Sequence, residues 1–210
     1  MNTQVAIIGD IHGNSAALAG ILRELDGRVE RYIFTGDFVN RGEHSAAVVQ
    51  GLVELALRHR DTVFVSGNHD RAFLTALETG DLSRLLKMGG APTVSSYVGY
   101  PCGDIAKHLQ ASVPATHLAF FRNLVPYFRS ASGLLVTHGP RDRPSTALVS
   151  DYHVYGHVPQ HDRRPSIAER EAAIDTGCGS VPDGRLTALL YPALTIIQVD
   201  GEGRLVSGNL

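Results

Sequence analysis

The chain has 210 residues, an apolar fraction of 43% and a formal net charge of -2, with 19 Lys and Arg against 21 Asp and Glu. Such a chain buries one good core, and its balanced charge argues against a nucleic-acid polymer or a membrane surface as partner. Cys102 and Cys178, its two cysteines, cannot form a disulfide framework and lie in no zinc pattern, which fits a reduced, cytoplasmic setting; no leader-like segment precedes the first strand, and no apolar run approaches the ~18 residues of a membrane span.

Val5 to Ile8 reads as a strand leading into Gly9, and Ala16 to Leu25 carries Leu18, Ile21, Leu22 and Leu25 at helical spacing. Arg31 to Phe34 predicts a second strand, Ser45 to Leu57 a second helix, and Thr62 to Val65 a third strand. This alternation implies an α/β fold with a mainly parallel sheet and right-handed crossovers. Between residue 71 and about residue 130 the pattern breaks at Gly89-Gly90, Pro92, Gly99 and Pro101. That stretch reads as a helical excursion within one domain spanning 1–210. Gly133 to Thr137 and Tyr152 to Tyr155 return to strands, and Ala172 to Asp175, Leu186 to Leu190 and Leu194 to Val199 read as hairpins of a second sheet packed on the first.

Three segments share one layout: Gly9-Asp10-Ile11-His12-Gly13, Gly36-Asp37 leading to Asn40-Arg41-Gly42, and Gly67-Asn68-His69-Asp70. Each follows an apolar run and precedes a helical stretch, so its side chains fall at a strand's carboxyl end, where open α/β sheets build their sites. His138 and His157 also follow strands. Hard oxygen and imidazole ligands of this kind suit two metal ions about 3.5–4 Å apart that promote phosphoester hydrolysis. Asp10 and His12 can share one cation, Asp37 can bridge two, and Asn68, His138 and His157 can complete the second. His69 is free to protonate a leaving oxygen, and Arg41 can grip phosphate as a fork. Taken singly, each segment reads equally as a turn or a helix cap; the order of all five carries the assignment. His44, His59, His108, His117, His153 and His161 lack this context and read as core or surface residues.

These segments, with Thr137-His138-Gly139-Pro140 and Tyr155-Gly156-His157-Val158-Pro159, resemble the signature of the phosphoprotein phosphatase branch of the calcineurin-like metallophosphoesterases. Gly89-Gly90-Ala91-Pro92-Thr93, Phe120 to Leu124, and Ile174-Asp175-Thr176-Gly177-Cys178 with Leu186 to Leu189 resemble its bacterial and phage members. The resemblance implies a four-layer α/β/β/α sandwich with two mixed sheets and metals at the strand ends. It implies Asp10, His12 and Asp37 on the first metal and Asp37, Asn68, His138 and His157 on the second, with His69 as acid and Arg41 as phosphate ligand. Manganese, iron and zinc are the metals it suggests, manganese foremost.

Two departures stand out. Where the family pattern has an Asp paired with the histidine of the third motif, this chain has Asn40, which can accept a hydrogen bond from His69 but carries no charge to favour imidazolium. A lower His69 pKa and slower turnover of poor leaving groups follow, unless Asp70 substitutes. The interval between His138 and His157 is short and offers only Arg141 and Arg143 as further phosphate ligands. The expected activity is hydrolysis by metal-activated water, with a Ser/Thr-type phosphoprotein substrate ranked slightly above a symmetrically cleaved diadenosine tetraphosphate or another nucleotide. A base-stacking aromatic, for which Tyr97, Tyr100 and Phe38 are available, would discriminate between them. A non-catalytic scaffold is the alternative class, disfavoured because every ligand position holds a competent residue.

Overall fold

The computed structural model describes residues 4–100 and 103–206, so Cys102 lies outside the described residues. β1 (Val5–Ile8), α1 (Ser15–Leu25), β2 (Arg31–Phe34), α2 (Ser45–Arg58) and β3 (Val63–Phe64) form the expected alternation, with β1 parallel to β2 and β2 to β3. The strand period of two sends alternate residues to opposite faces. Ala6, Ile8, Tyr32 and Phe34 pack beneath the helices, with Leu18 and Ile21 of α1 and Val48, Val49 and Leu52 of α2. Ile7 and Ile33 face the other way.

There they meet a second sheet. β4 (Tyr127–Arg129), β5 (Leu134–Thr137), β6 (Tyr152–Tyr155), β7 (Ser166–Ile167) and β8 (Glu171–Ala173) are ordered β4-β5-β6-β8-β7, parallel at the centre and antiparallel at both edges. Val136, Val154 and Ala172 close on Ile7 and Ile33, all five fully buried. Each large apolar side chain so buried contributes about 1.5–3 kcal/mol, which fixes the distance between the two rows of strand ends.

The tail differs from the sequence expectation. β9 (Leu186–Tyr191) and β10 (Thr195–Val199) form a hairpin of the first sheet, not the second, with β9 antiparallel to β1 and the order β10-β9-β1-β2-β3. The crossovers add β2 and β3 on one side of β1, which leaves its other edge unpaired until β9 fills it. β9 then has neighbours on both sides, and Leu186, Ala188 and Leu190 enter the helix-side core while Leu189 enters the core between the sheets. The segment from Ala172 joins the second sheet as expected, within β8.

The helical excursion begins earlier and ends sooner than its apolar pattern implies. It comprises α3 (Asn68–Thr79), α4 (Ser83–Lys87), α5 (Ala91–Val98), α6 (Ile105–Ser112) and α7 (Ala115–Arg122), after which Tyr127–Arg129 is already strand β4. Three- and two-residue strands such as β4 and β7 are too short to show a period, and long-range pairing alone makes them strands. Phe73, Val94, Leu109 and Phe121 bind the excursion to the core of the first sheet. All helices among the described residues lie between Ser15 and Arg122. Two mixed sheets packed face to face, with helices against the first, are the α/β architecture that the resemblance implies. No helix among the described residues is long and apolar enough to cross a membrane.

Candidate metal centre

The loops after β1, β2, β3, β5 and β6 converge at one end of the two sheets. The first two are zipped together: the backbone N–H groups of Ile11 and His12 donate to the Asp37 carbonyl at 3.2 and 3.0 Å, and that of Gly13 to Phe38 at 2.9 Å. Among the described residues, seven other than glycine have positive φ, and five of them are His12, Asp37, Asn40, Arg41 and His157. Left-handed backbone costs of order 1–3 kcal/mol at such residues and persists where the surroundings impose it. Here it turns each strand end sharply enough to aim its side chain into the site.

Asp70 ties the second motif to the third. Its carboxylate accepts from the N–H groups of Gly67, Asp37 and Phe38 at 2.9, 2.8 and 2.9 Å, and burial nevertheless raises its pKa to about 6. Those bonds commit it to the backbone of the two motifs, so it does not replace the missing carboxylate beside His69. Close approach accounts for two glycines: a Cβ on Gly67 would fall on Asp37 Oδ1, and one on Gly156 would fall on Asp10 Oδ1.

Two groups of donor atoms share Asp37. In His12, Asp37 and His69, and again in Asp37, His138 and His157, the donors all lie within 4.8 Å of one another. Asp37 Oδ2 stands 3.7 Å from His12 Nε2, 3.5 Å from His138 Nε2 and 3.9 Å from His69 Nε2. The other ring nitrogens of His12 and His138 face the carbonyls of Val39 and Thr35 at 3.1 and 3.0 Å. Each ring therefore carries its proton on Nδ1 and offers an Nε2 lone pair to the site. His138 Nε2 lies 2.8 Å from Asn68 Oδ1. Two lone-pair donors with no proton between them face each other, as two ligands of one cation do.

Electrostatics point the same way. Burial first, and then neighbouring carboxylates, hold the pKa values of Asp10 and Asp37 well above the usual carboxylate range, and burial raises that of Asp175. Burial pushes His12 down and His138 down to about 3, so both imidazoles are neutral. Neutral imidazoles beside crowded, desolvated carboxylates form an anionic pocket suited to divalent or trivalent cations.

Asp10 does not fall within either group of three. One of its oxygens accepts from Thr35 Oγ1 at 2.9 Å and the other from the His157 N–H at 3.0 Å. His69, expected purely as an acid, lies beside His12 and Asp37 in the first group. Asp175 is a buried member of the carboxylate cluster to which sequence reasoning gave no role. It ends an apolar run just before a turn, the same layout that marked Asp10 and Asp37.

Asn40 reverses the expected direction of its hydrogen bond. Thr93 Oγ1 donates to Asn40 Oδ1 at 3.0 Å while accepting from the Asn40 N–H at 2.8 Å. With its oxygen so engaged, Asn40 presents its amide N–H to His69 Nδ1 at 2.8 Å. His69 Nδ1 is thus an acceptor and Nε2 carries the proton. Burial, followed by the charge of Arg41, lowers the His69 pKa to about 4.

Arg41 is exposed beside the centre, and its Nη1 donates to Ser180 Oγ at 2.8 Å. Arg141 lines a cavity of about 510 Å³ with Asn68, His138 and His157, and Arg71 lines it as well. Arg143 is turned elsewhere, its Nη2 donating to the Leu148 carbonyl at 3.0 Å. None of the three aromatics suggested for base stacking is placed for it. Phe38 is fully buried, Tyr97 stacks on Phe73 within the helical side, and Tyr100 is fully exposed and lines none of the cavities at the centre. His117 and His153 are buried and hydrogen-bonded, to Tyr97 and Gln50 and to Thr137 respectively, as their plain readings anticipate.

Two mixed sheets carrying a buried His/Asp cluster at their strand ends define a metal-dependent phosphoester hydrolase. Residues 3–192 match the calcineurin-like phosphoesterase family, and the chain belongs to it. It is 27% identical over 245 residues to an asymmetrical bis(5'-nucleosyl)-tetraphosphatase, PrpE, of Halalkalibacterium halodurans, covering 97% of this chain and 96% of that protein. A protein of the same name from Bacillus mycoides is 24% identical over 233 residues, covering 92% of each. A crystal structure provisionally named as a diadenosine tetraphosphatase aligns with a TM-score of 0.67 at 23% identity, over 96% of this chain and 95% of the other. The cold-active protein-tyrosine phosphatase of a Shewanella species aligns with a TM-score of 0.63 at 15% identity, over 97% and 80%.

Proposed function

We propose that this chain hydrolyses phosphoanhydride bonds in nucleotide polyphosphates, dinucleoside tetraphosphates foremost, in a cytoplasmic setting. Asp10, His12, Asp37, Asn68, His138 and His157 would hold two metal ions, with Asp37 in the bridging position. When bound there, the cations supply Lewis acidity toward phosphate oxygens and toward water. Arg41, steadied by Ser180, grips a phosphate of the substrate. His69 directs its Nε2–H toward the leaving oxygen, and Asn40 holds the ring in that tautomer. Arg141 offers a second guanidinium on the side of Asn68.

The Asn40–His69 hydrogen bond carries the choice of substrate. A neutral imidazole that donates Nε2–H without a carboxylate behind it is a weak acid catalyst. A serine or threonine alkoxide is a poor leaving group and needs a proton in the transition state, whereas a phosphate departs as a stable anion. The site as built therefore suits an anhydride better than the phosphoprotein ester that the sequence placed slightly ahead. The names of the full-length relatives support the same reading, while the likeness to the protein-tyrosine phosphatase speaks for the fold.

The test is a comparison of kcat/KM, in manganese, for diadenosine tetraphosphate and for phosphoserine, phosphothreonine and phosphotyrosine peptides. The dinucleotide should lead by about tenfold or more, the scale on which acid catalysis acts on a poor leaving group. A peptide ahead of the dinucleotide overturns the proposal. Products identify the bond cut: ATP with AMP for asymmetrical cleavage, two ADP for symmetrical.

A further inference from the structure

The cavity beside the second half of the centre holds two guanidinium groups, one of them on a residue to which sequence reasoning gave no role. Arg71 lies on the first turn of α3, three residues after Asn68, and residues three apart share a helix face. Side chains on a helix lean toward its N-terminus, which brings Arg71 back over the loop that carries Asn68. A hydrogen bond of 2.8 Å from its Nη1 to the Ser66 carbonyl fixes that orientation. One of five N–H donors is thereby engaged, and the planar fork keeps others for an anion.

Arg141, on the turn after His138, lines the same cavity. Asp142 also lines the cavity, but its Oδ2 accepts from the Gly139 N–H at 2.9 Å, which holds that turn. Arg41, held by Ser180, belongs to the other group of donors, where the N–H of the next residue, Gly42, donates to the His12 carbonyl at 3.1 Å. Guanidinium groups thus stand by each of the two groups of donors. A substrate with a single phosphate group can engage one side; a chain of phosphates can reach both.

We infer that Arg71, together with Arg141, forms a subsite for phosphates beyond the one being cleaved, and so selects polyphosphate chains over monophosphates. This inference rests on the reading of the centre as a phosphohydrolase of nucleotide polyphosphates, but its test does not require a dinucleotide to be cleaved. Arg71→Gln removes the charge and the fork while keeping the length and polarity of an exposed side chain.

Hydrolysis of an aryl phosphate is inhibited with ATP, supplied as a methylene-bridged analogue that cannot be cleaved, or with AMP, both in excess magnesium, and the ratio of the two inhibition constants is the readout. In the native protein ATP should bind about tenfold or more tightly than AMP, and in the Arg71→Gln variant the ratio should fall to about two. Arg71→Lys should give an intermediate ratio, because it keeps a point charge without the fork. Arg122→Gln, an exposed charge change on α7, should leave the native ratio in place. Direct binding of ATP and AMP measured by calorimetry on each protein should reproduce the same ratios. A native ratio near one, a ratio unmoved in Arg71→Gln, or an equal fall in Arg122→Gln overturns the inference. Failure of the native protein to cleave diadenosine tetraphosphate, with these ratios as expected, would instead count against the substrate proposed above.

Discussion

Arg41 Nη1 donates to Ser180 Oγ at 2.8 Å, joining the turn after β2 to a loop 139 residues further along the chain. The bond orients a guanidinium that would otherwise sample many rotamers at the surface. Ser180→Ala should raise KM for an aryl phosphate about two- to fivefold with little change in kcat, in line with the modest net value of one exposed hydrogen bond. Ser180→Thr should restore the native KM. Steady-state kinetics check both, and a fall in kcat at constant KM would mean that Ser180 acts elsewhere.

Asn40→Asp should convert the bond at His69 Nδ1 from one that His69 accepts to one that it donates. An ionised carboxylate there favours imidazolium and strengthens His69 as an acid. The gain should grow as the leaving group worsens: about tenfold or more in kcat for an alkyl phosphate and less than about threefold for p-nitrophenyl phosphate. A uniform change across a leaving-group series would show that the substitution acts on something other than proton transfer.

Gly156→Ala places a Cβ against Asp10 Oδ1 and Thr35 Oγ1. Neither neighbour can withdraw freely, since Thr35 donates to Asp10 and Asp10 also accepts from the His157 N–H. The expected cost is about 1–3 kcal/mol of stability, with manganese affinity weakened by an order of magnitude or more through Asp10 and His157. Thermal unfolding with and without manganese measures both; unchanged midpoints in the two conditions would refute the packing argument.

Metal binding should release protons, and the carboxylates should be their source. Asp10 and Asp37 have folded pKa values raised well above the usual range, so as pH falls the metal-free protein takes up protons there sooner than ordinary carboxylates would, and a cation must displace them. Burial pushes His12 and His138 down, His138 to about 3, so their imidazoles are not the source of those protons. Manganese affinity should therefore strengthen as pH rises through the raised carboxylate values, with proton release declining toward alkaline pH. Calorimetric titration in buffers of different ionisation enthalpy counts the protons. Proton release that does not grow as pH is lowered would mean that the carboxylates are already ionised in the metal-free protein.

Strands and helices with several turns of one period could be read directly: β1, α1, β2 and α2 lie within a few residues of where their apolar spacing places them. The candidate ligands were proposed from the recurrence of Asp, His and Asn beside glycine at strand ends, and the structure gathers His12, Asp37, His138 and His157 into groups that could hold a metal. What resisted reading was non-local. Nothing in Leu186 to Leu190 says which sheet it joins, since an all-buried strand shows no alternation and its place depends on the edge that β1 leaves unpaired. β4 and β7 are too short to carry a period. Asp175 shares the layout of the ligand motifs without a second chemical group nearby in sequence, and Arg71 sits one residue past a motif that ends at Asp70.

The order of the motifs determined the reaction class, because the chemistry of metal ligands is a property of residue types and strand ends are a property of local pattern. Tertiary structure decided how those residues are presented. A threonine 53 positions away from Asn40 engages its amide oxygen and so sets which nitrogen of His69 holds the proton. The turn of helix that carries Asn68 decides that Arg71, and not Arg143, joins Arg141 in the cavity. Hydrogen-bond direction and side-chain aim depend on partners distant in sequence, and only the packing of the two sheets and the helical excursion brings those partners together.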